Sequence, residues 1–158
     1  NVKMAIEFFV TENGQVLINE LAPRPHNSGH VSLEWPCPTS QFEQHLRAIL
    51  GLQLGQVSFS QTIIMANING SPHPTITSKE KNTRQHILDS PESGKDSEVS
   101  YRGIYEILKQ GGSVYLYGKT QSRPGRKMGH FNLVCDPNDD IADSLHKVKQ
   151  FKESIHVL

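Results

Sequence analysis

Residues 2–22, VKMAIEFFVTENGQVLINELA, decide the reading of the fold. Val2, Met4, Ile6, Phe8 and Val10 alternate with other residues, the period of a β-strand. Asn13-Gly14 follows, a pair that tolerates positive φ and marks a hairpin turn, and residues 16–21 then return as a second strand. A two-residue turn centred on Asn13 and Gly14 predicts that Glu12 faces Gln15, Val10 faces Leu17 and Glu7 faces Glu20. Directly opposed like charges cost a hairpin up to about 1 kcal/mol. Ala5 and Phe9 share the face of Glu7, and Ile18 and Ala22 that of Glu20, which makes unpaired charge there expensive. Two readings stay open. The glutamates point into solvent from an exposed face, or they share a hard dication such as Mg²⁺, which takes one or two protein carboxylates and keeps its other positions for water and phosphate oxygens.

Beyond the hairpin, residues 22–38 carry Pro23, Pro25, Pro36 and Pro38 and predict a loop rather than a regular helix. Ser40 and Glu43 have capping-box spacing, and Phe42, Leu46, Ile49 and Leu50 fall on one helical face before Gly51. A strand is expected over residues 62–68, followed by the turn Asn69-Gly70-Ser71-Pro72. Residues 75–100 are polar and charged and read as a long exposed connection. Tyr101, Ile104, Tyr105 and Leu108 predict a short amphipathic helix stopped by Gly111-Gly112. Strands over 113–119 and 127–135 flank the turn-rich residues 120–126. Asn138 is the expected cap of a last helix, with Asp139 and Asp140 in its first turn and an apolar stripe of Ile141, Leu145, Val148, Phe151 and Ile155.

Composition narrows the function classes. Sixteen Lys plus Arg balance sixteen Asp plus Glu, so no global field favours nucleic acid or an anionic membrane. Cys37 and Cys135 have neither disulfide-framework nor zinc spacing and suit a reducing compartment, with the cytoplasm as default. No apolar run is long enough to cross a bilayer, and no secretory leader pattern opens the chain. Asn1 leads straight into a strand already under way, so the chain is expected to be part of a longer protein.

Two loops carry anion-binding chemistry. After Glu20 the chain reads Leu21-Ala22-Pro23-Arg24-Pro25-His26-Asn27-Ser28-Gly29-His30. Prolines stiffen the backbone around Arg24, and His26, Asn27 and Ser28 supply donors, a composition suited to gripping an oxyanion or to capping the loop's own backbone. The second cluster, Lys119, Arg123, Arg126 and Lys127, sits on a glycine-containing hairpin and can surround one phosphate. Tyr115 and Tyr117 beside it leave nucleic-acid stacking as a weaker alternative, and solvated turn charges as a bland one.

The segments IEFFVTENGQVLINELAPRPHNSGH (6–30), TSQFEQHLRAILGL (39–52) and YLYGKTQSRPGRKMGHFNL (115–133), in that order, closely resemble the carboxyaminoimidazole ribonucleotide synthases, ATP-grasp enzymes of purine biosynthesis. The resemblance covers both ends of the chain well and residues 75–100 poorly. It implies an α/β (α+β) fold: the end of an ATP-grasp domain over residues 1–55, then a small antiparallel β-rich carboxyl-terminal domain with flanking helices over 56–158. It implies Glu7 and Glu20 as magnesium ligands and Asn19 with Glu20 as a nucleotide contact. Arg24, His26, Asn27 and Ser28 would bind substrate, with Arg24 and His26 in catalytic roles, and Lys119 and Arg126 would hold the ribonucleotide phosphate. The implied cofactors are ATP and Mg²⁺, and the implied substrates aminoimidazole ribonucleotide and bicarbonate. A homodimer and coupling to a carboxyaminoimidazole ribonucleotide mutase are the implied partnerships, the latter because YLYGKT and RKMGHFN look most like the fungal form. The family's upstream lysines, phosphate loop and adenine pocket have no counterpart in these residues, so the chain alone is expected to be inactive. Rival readings are another ATP-grasp ligase, such as formate-dependent glycinamide ribonucleotide transformylase, or a non-catalytic dimerisation fragment.

Overall fold

The computed structural model describes residues 4–71 and 99–157, so the expected exposed connection lies almost wholly outside the described residues. Strand β1 (Ala5–Val10) pairs antiparallel with β2 (Val16–Ala22), as the alternation requires. The turn differs from expectation. Thr11 N donates to Gln15 O at 2.9 Å and Gly14 N to Thr11 O at 2.9 Å, with Gly14 at φ 79°. Glu12, Asn13 and Gly14 therefore form a three-residue connection whose last member takes the left-handed conformation.

That turn pairs Val10 with Val16, Phe9 with Leu17 and Phe8 with Ile18, one residue away from the expected Val10–Leu17 register. The register then shifts at Asn19, which has no partner on β1, and Glu7 faces Glu20 as expected. A β-bulge thus cancels the longer turn, and Leu17 rather than Ile18 joins the glutamates' face. Ile6, Phe8, Phe9, Val10, Val16, Leu17, Ile18 and Leu21 are all about half exposed or more. Among the described residues no other strand joins this hairpin.

The proline-rich segment is not plain loop. Its prolines bracket residues 27–33, and that proline-free stretch forms a 3-10 helix, Asn27–Leu33. Helix α1 (Gln41–Ile49) begins as predicted, with Ser40 Oγ accepting from Glu43 N at 3.2 Å. The Glu43 carboxylate pairs with Arg47 one turn on, at 2.8 Å, instead of closing the box. Phe42, Leu46, Ile49 and Leu50 stay exposed.

The second sheet is antiparallel in the order β3 (Ile63–Asn69), β6 (Lys127–Val134), β5 (Ser113–Leu116). Ala66, Phe131 and Val114 lie in one row across it, and Ile64 and Leu133 in the next. This apolar face forms the core with Ile107, Val148 and Ile155. Helix α3 (Ile141–Ser154) covers it, and Phe151 meets Phe131 edge-on at 6.2 Å. Asp140, not Asn138, is the α3 cap: its Oδ1 accepts from Ala142 N at 2.8 Å, while Asn138 bonds Asp136. Ile141 and Leu145 remain exposed, so the buried stripe is narrower than predicted. Helix α2 (Ile104–Lys109) starts after Gly103, because Tyr101 belongs to a short strand, β4 (Tyr101–Arg102), paired with β7 (His156–Val157). Among the described residues no helix is long and apolar enough to cross a membrane.

The opposite face of the β3-β6-β5 sheet is polar. Asn67, His130 and Tyr115 form one row and Met65, Asn132 and Ser113 the next. His130 and Asn132 are only 2% and 1% exposed, because the segment 27–34 lies over them.

Candidate functional site

The bulge decides what surrounds Glu7. An extra residue re-aims the side chains beside it, and Asn19 Nδ2 donates to Glu7 Oε1 at 2.5 Å while Glu20 stands opposite. His26, entering the 3-10 segment, lies between the two acids. Its Nε2 is 2.5 Å from Glu20 Oε1 and its Nδ1 is 3.4 Å from Glu7 Oε2 and 2.8 Å from Ser28 Oγ. With Nε2–H donating to Glu20, Nδ1 is the acceptor for the Ser28 hydroxyl. One ligand atom from each of Glu7, Glu20 and His26 lies within 4.8 Å of the others. The repulsion expected between the glutamates is met here by the imidazole and the Asn19 amide.

The backbone of His26 is fixed from α1. His26 N donates to Gln41 Oε1 at 2.9 Å, and Gln41 Nε2 donates back to His26 O at 2.8 Å. This two-bond clamp from a buried side chain escaped the sequence reading, which assigned Gln41 no role.

Asn27 turns away from the acids and donates through Nδ2 to Asn67 Oδ1 at 2.8 Å, joining the loop to β3. Arg24 stands apart: its Nη1 donates to Pro25 O at 3.1 Å, and the rest of the guanidinium is unbonded among the described residues. The structure thus brings together Glu7, Asn19, Glu20, His26 and Ser28, and leaves Arg24 at the rim.

The second cluster lies between β5 and β6. Lys119 Nζ donates to Lys127 O and sits 5.5 Å from the centre of the Tyr117 ring, and Arg126 Nη1 donates to Gln121 O at 2.8 Å. Gly70 pins this turn. Its N donates to Arg126 O at 2.8 Å and its O accepts from Gly125 N at 3.1 Å, and a Cβ there would lie 2.3 Å from Arg123 O.

The polar face connects the clusters. Tyr117 Oη is 2.9 Å from His130 Nδ1, and His30 stacks on His130 with ring centres 4.3 Å apart. Burial, with His26 and Lys127 nearby, lowers the His30 pKa. Burial and His30 push His130 down to about 4, against an upward pull from Glu34. Burial raises the phenols of Tyr115 and Tyr117, for Tyr115 with help from its bond to Glu34. Both tyrosines are engaged inside the protein, which removes support for base stacking. A separate cleft of about 600 Å³, lined by Val31, residues 59–63 and Pro137, contains none of the candidate residues.

Residues 3–42 match the ATP-grasp domain family, and residues 64–144, just over half of the chain, match the phosphoribosylaminoimidazole carboxylase C-terminal domain family. The chain belongs to the phosphoribosylaminoimidazole carboxylase C-terminal domain family. It is 39% identical to the N5-carboxyaminoimidazole ribonucleotide synthase of Bacillus subtilis, over 87% of this chain and 29% of that protein. The crystal structure of N5-carboxyaminoimidazole ribonucleotide synthetase from Thermotoga maritima superimposes with TM-score 0.71 at 38% identity, covering 98% of this chain and 36% of that one. A structure of the Aspergillus clavatus N5-carboxyaminoimidazole synthase, in complex with ADP and 5-aminoimidazole ribonucleotide, has TM-score 0.65 at 27% identity and covers 95% and 34%. The chain therefore spans about a third of these relatives. The phosphoribosylaminoimidazole carboxylase family match falls on β3 through α3, and the ATP-grasp match on the hairpin and the loop after it.

Proposed function

We propose that this chain supplies the acidic hairpin and the substrate-gripping surface for ATP- and bicarbonate-dependent carboxylation of aminoimidazole ribonucleotide in purine biosynthesis. The observation that carries the reading is the seating of the His26 loop, next to Glu7 and Glu20, on the same sheet face that leads through His130 and Tyr117 to Lys119. One ligand can then meet both clusters. The Aspergillus relative's complex with ADP and the ribonucleotide supports that choice of ligands.

In this reading residues 1–55 end an ATP-grasp domain and residues 56–158 form the carboxyl-terminal unit. Glu7 and Glu20 hold Mg²⁺: two carboxylate oxygens within 4.8 Å of one another fit a hard cation. The ion's contribution when bound is to neutralise charge on the nucleotide phosphates. Asn19, bulged beside Glu20, contacts the nucleotide. Lys119 and Arg126 hold the ribonucleotide phosphate, Arg by forked bonds and Lys as a point charge. Asn27 and Ser28 orient the substrate.

The chemistry transfers the γ-phosphoryl group of ATP to bicarbonate, and the resulting carboxyphosphate releases carbon dioxide, which the substrate amine captures with loss of a proton. His26 is the better proton acceptor, because Glu20 fixes its Nε2 and its Nδ1 lone pair is held only by the Ser28 hydroxyl, which must turn away, whereas guanidinium does not deprotonate. Arg24, with open donors, stabilises charge on the transferring group. We assign the complete protein to the cytoplasm, as a homodimer functionally coupled to a mutase that consumes its product.

Calorimetric titration with aminoimidazole ribonucleotide tests the reading. Saturable one-site heat is expected. Absence of heat, with the chain alone and with the chain recombined with an upstream ATP-grasp half, would remove the substrate-site assignment.

A further inference from the structure

Glu34 is 7% exposed and lies at the end of the 3-10 segment, far in sequence from the side chains that bond it. Ser113 Oγ donates to its Oε2 at 2.8 Å, Tyr115 Oη to its Oε1 at 3.0 Å, and Asn132 Nδ2 to its Oε1 at 2.9 Å. These donors come from β5 and from β6. The same Asn132 amide reaches His30 O at 3.1 Å, so one sheet side chain grips the segment twice. At the other end of the segment Asn27 bonds Asn67 on β3, and in the middle His30 lies flat on His130 with an interplanar angle of 8°. A stack runs from Phe42 through His30 and His130 to Tyr115, with successive centres 5.7, 4.3 and 4.7 Å apart.

A buried carboxyl group is expensive unless donors satisfy it, and an apolar side chain would fill the position at lower cost. Directional bonds from three buried donors to one carboxylate favour one arrangement of the elements they join, which apolar contact alone does not. Glu34 touches none of the groups assigned to ligands. What it joins is the loop carrying His26 and Ser28 to the strands that lead into Lys119 and Arg126.

We propose that Glu34 is a positioning residue: by accepting from Ser113, Tyr115 and Asn132 it staples the 3-10 segment to the sheet and sets the His26 loop at a fixed distance from the Lys119–Arg126 turn. This inference rests on the proposed function. Its catalytic consequence is geometric, since a ligand held at two clusters loses affinity when their separation is free to vary.

Amide hydrogen exchange and ribonucleotide titration of the same variants test it. The reporters are Gly29 N–H, bonded to His26 O at 3.0 Å, and Glu34 N–H, bonded to Val31 O at 3.3 Å, with the β6 amides as reference. Glu34→Ala is expected to speed exchange of the segment by about tenfold or more, with β6 unchanged, and to weaken aminoimidazole ribonucleotide binding by a similar factor. Glu34→Gln, which keeps one carbonyl acceptor, should fall between. Tyr115→Phe and Ser113→Ala each remove a single donor and carry the same test if Glu34→Ala loses the sheet. Wild-type exchange in the segment of these variants, or wild-type affinity in a variant whose segment has loosened, overturns the inference while leaving the functional reading intact. A wild-type chain that binds no ribonucleotide overturns the functional reading itself, and the positioning role with it.

Discussion

Glu7 faces Glu20 across the hairpin because Asn19 is bulged out of β2; without that bulge the three-residue turn would set the pairing one residue off. Side-chain direction alternates along a strand, so a one-residue slip would send Glu20 to the other face. Deletion of Asn19 should keep the glutamates opposed, since Glu20 then follows Ile18 directly, while removing the bulge and the amide bonded to Glu7. With Mn²⁺ as a paramagnetic probe, Glu7→Gln and Glu20→Gln should each weaken binding by about tenfold or more, and the Asn19 deletion by less. Unchanged Mn²⁺ affinity in both glutamine variants would mean that the acids do not act as a metal pair.

A second prediction concerns acid. His130 is buried with its pKa lowered to about 4 from an ordinary 6.5. Between those values the unfolded chain binds the proton that the folded chain refuses, so stability is complete above pH 6.5 and falls as pH drops toward 4. The loss should be on the order of 3 kcal/mol. Urea titrations across this range check it, and His130→Gln should flatten that part of the profile. A His130→Gln profile as steep as wild type would assign the acid sensitivity elsewhere.

The core gives a third prediction. Phe131 is fully buried, lies in the row with Ala66 and Val114, and meets Phe151 edge-on. Phe131→Ala should cost about 3–5 kcal/mol by equilibrium denaturation. A cost near zero would mean that this sheet and α3 do not form one packed layer.

Gly70→Ala probes the basic turn. The added methyl would meet Arg123 O at 2.3 Å and Ser122 Oγ at 2.6 Å, and the first of these is backbone that must move. The variant should lose about 1–3 kcal/mol, and backbone shifts read by NMR should concentrate on residues 119–127. Shifts spread evenly over the sheet would argue against this anchoring.

The hairpin, the Ser40 cap and the strands β3 and β6 were legible because each follows from alternation or a local turn rule. The Glu7–Glu20 pairing was legible for an incomplete reason: two deviations of opposite sign, a longer turn and the Asn19 bulge, cancel at that position, and what the bulge changes is the face of Leu17 and Ile18. Asp140 took the cap from Asn138 because the preceding residues, Asp136 to Asp139, close a turn of their own. Glu34 was missed entirely, since its partners lie 79 to 98 residues away. A trace of it was visible: His130 and Asn132 stand two apart in an otherwise apolar strand, with Ser113 and Tyr115 at the same spacing, the mark of a polar face needing polar cover.

In the proposed function the His26 loop and the Lys119–Arg126 turn serve one ligand. Titrating the isotopically labelled chain with aminoimidazole ribonucleotide, and following backbone signals of residues 24–28 and 119–126 together, tests it directly. Both sets should shift along one saturation curve with a single Kd. Movement confined to one set, or two curves with different Kd values, would contradict the claim.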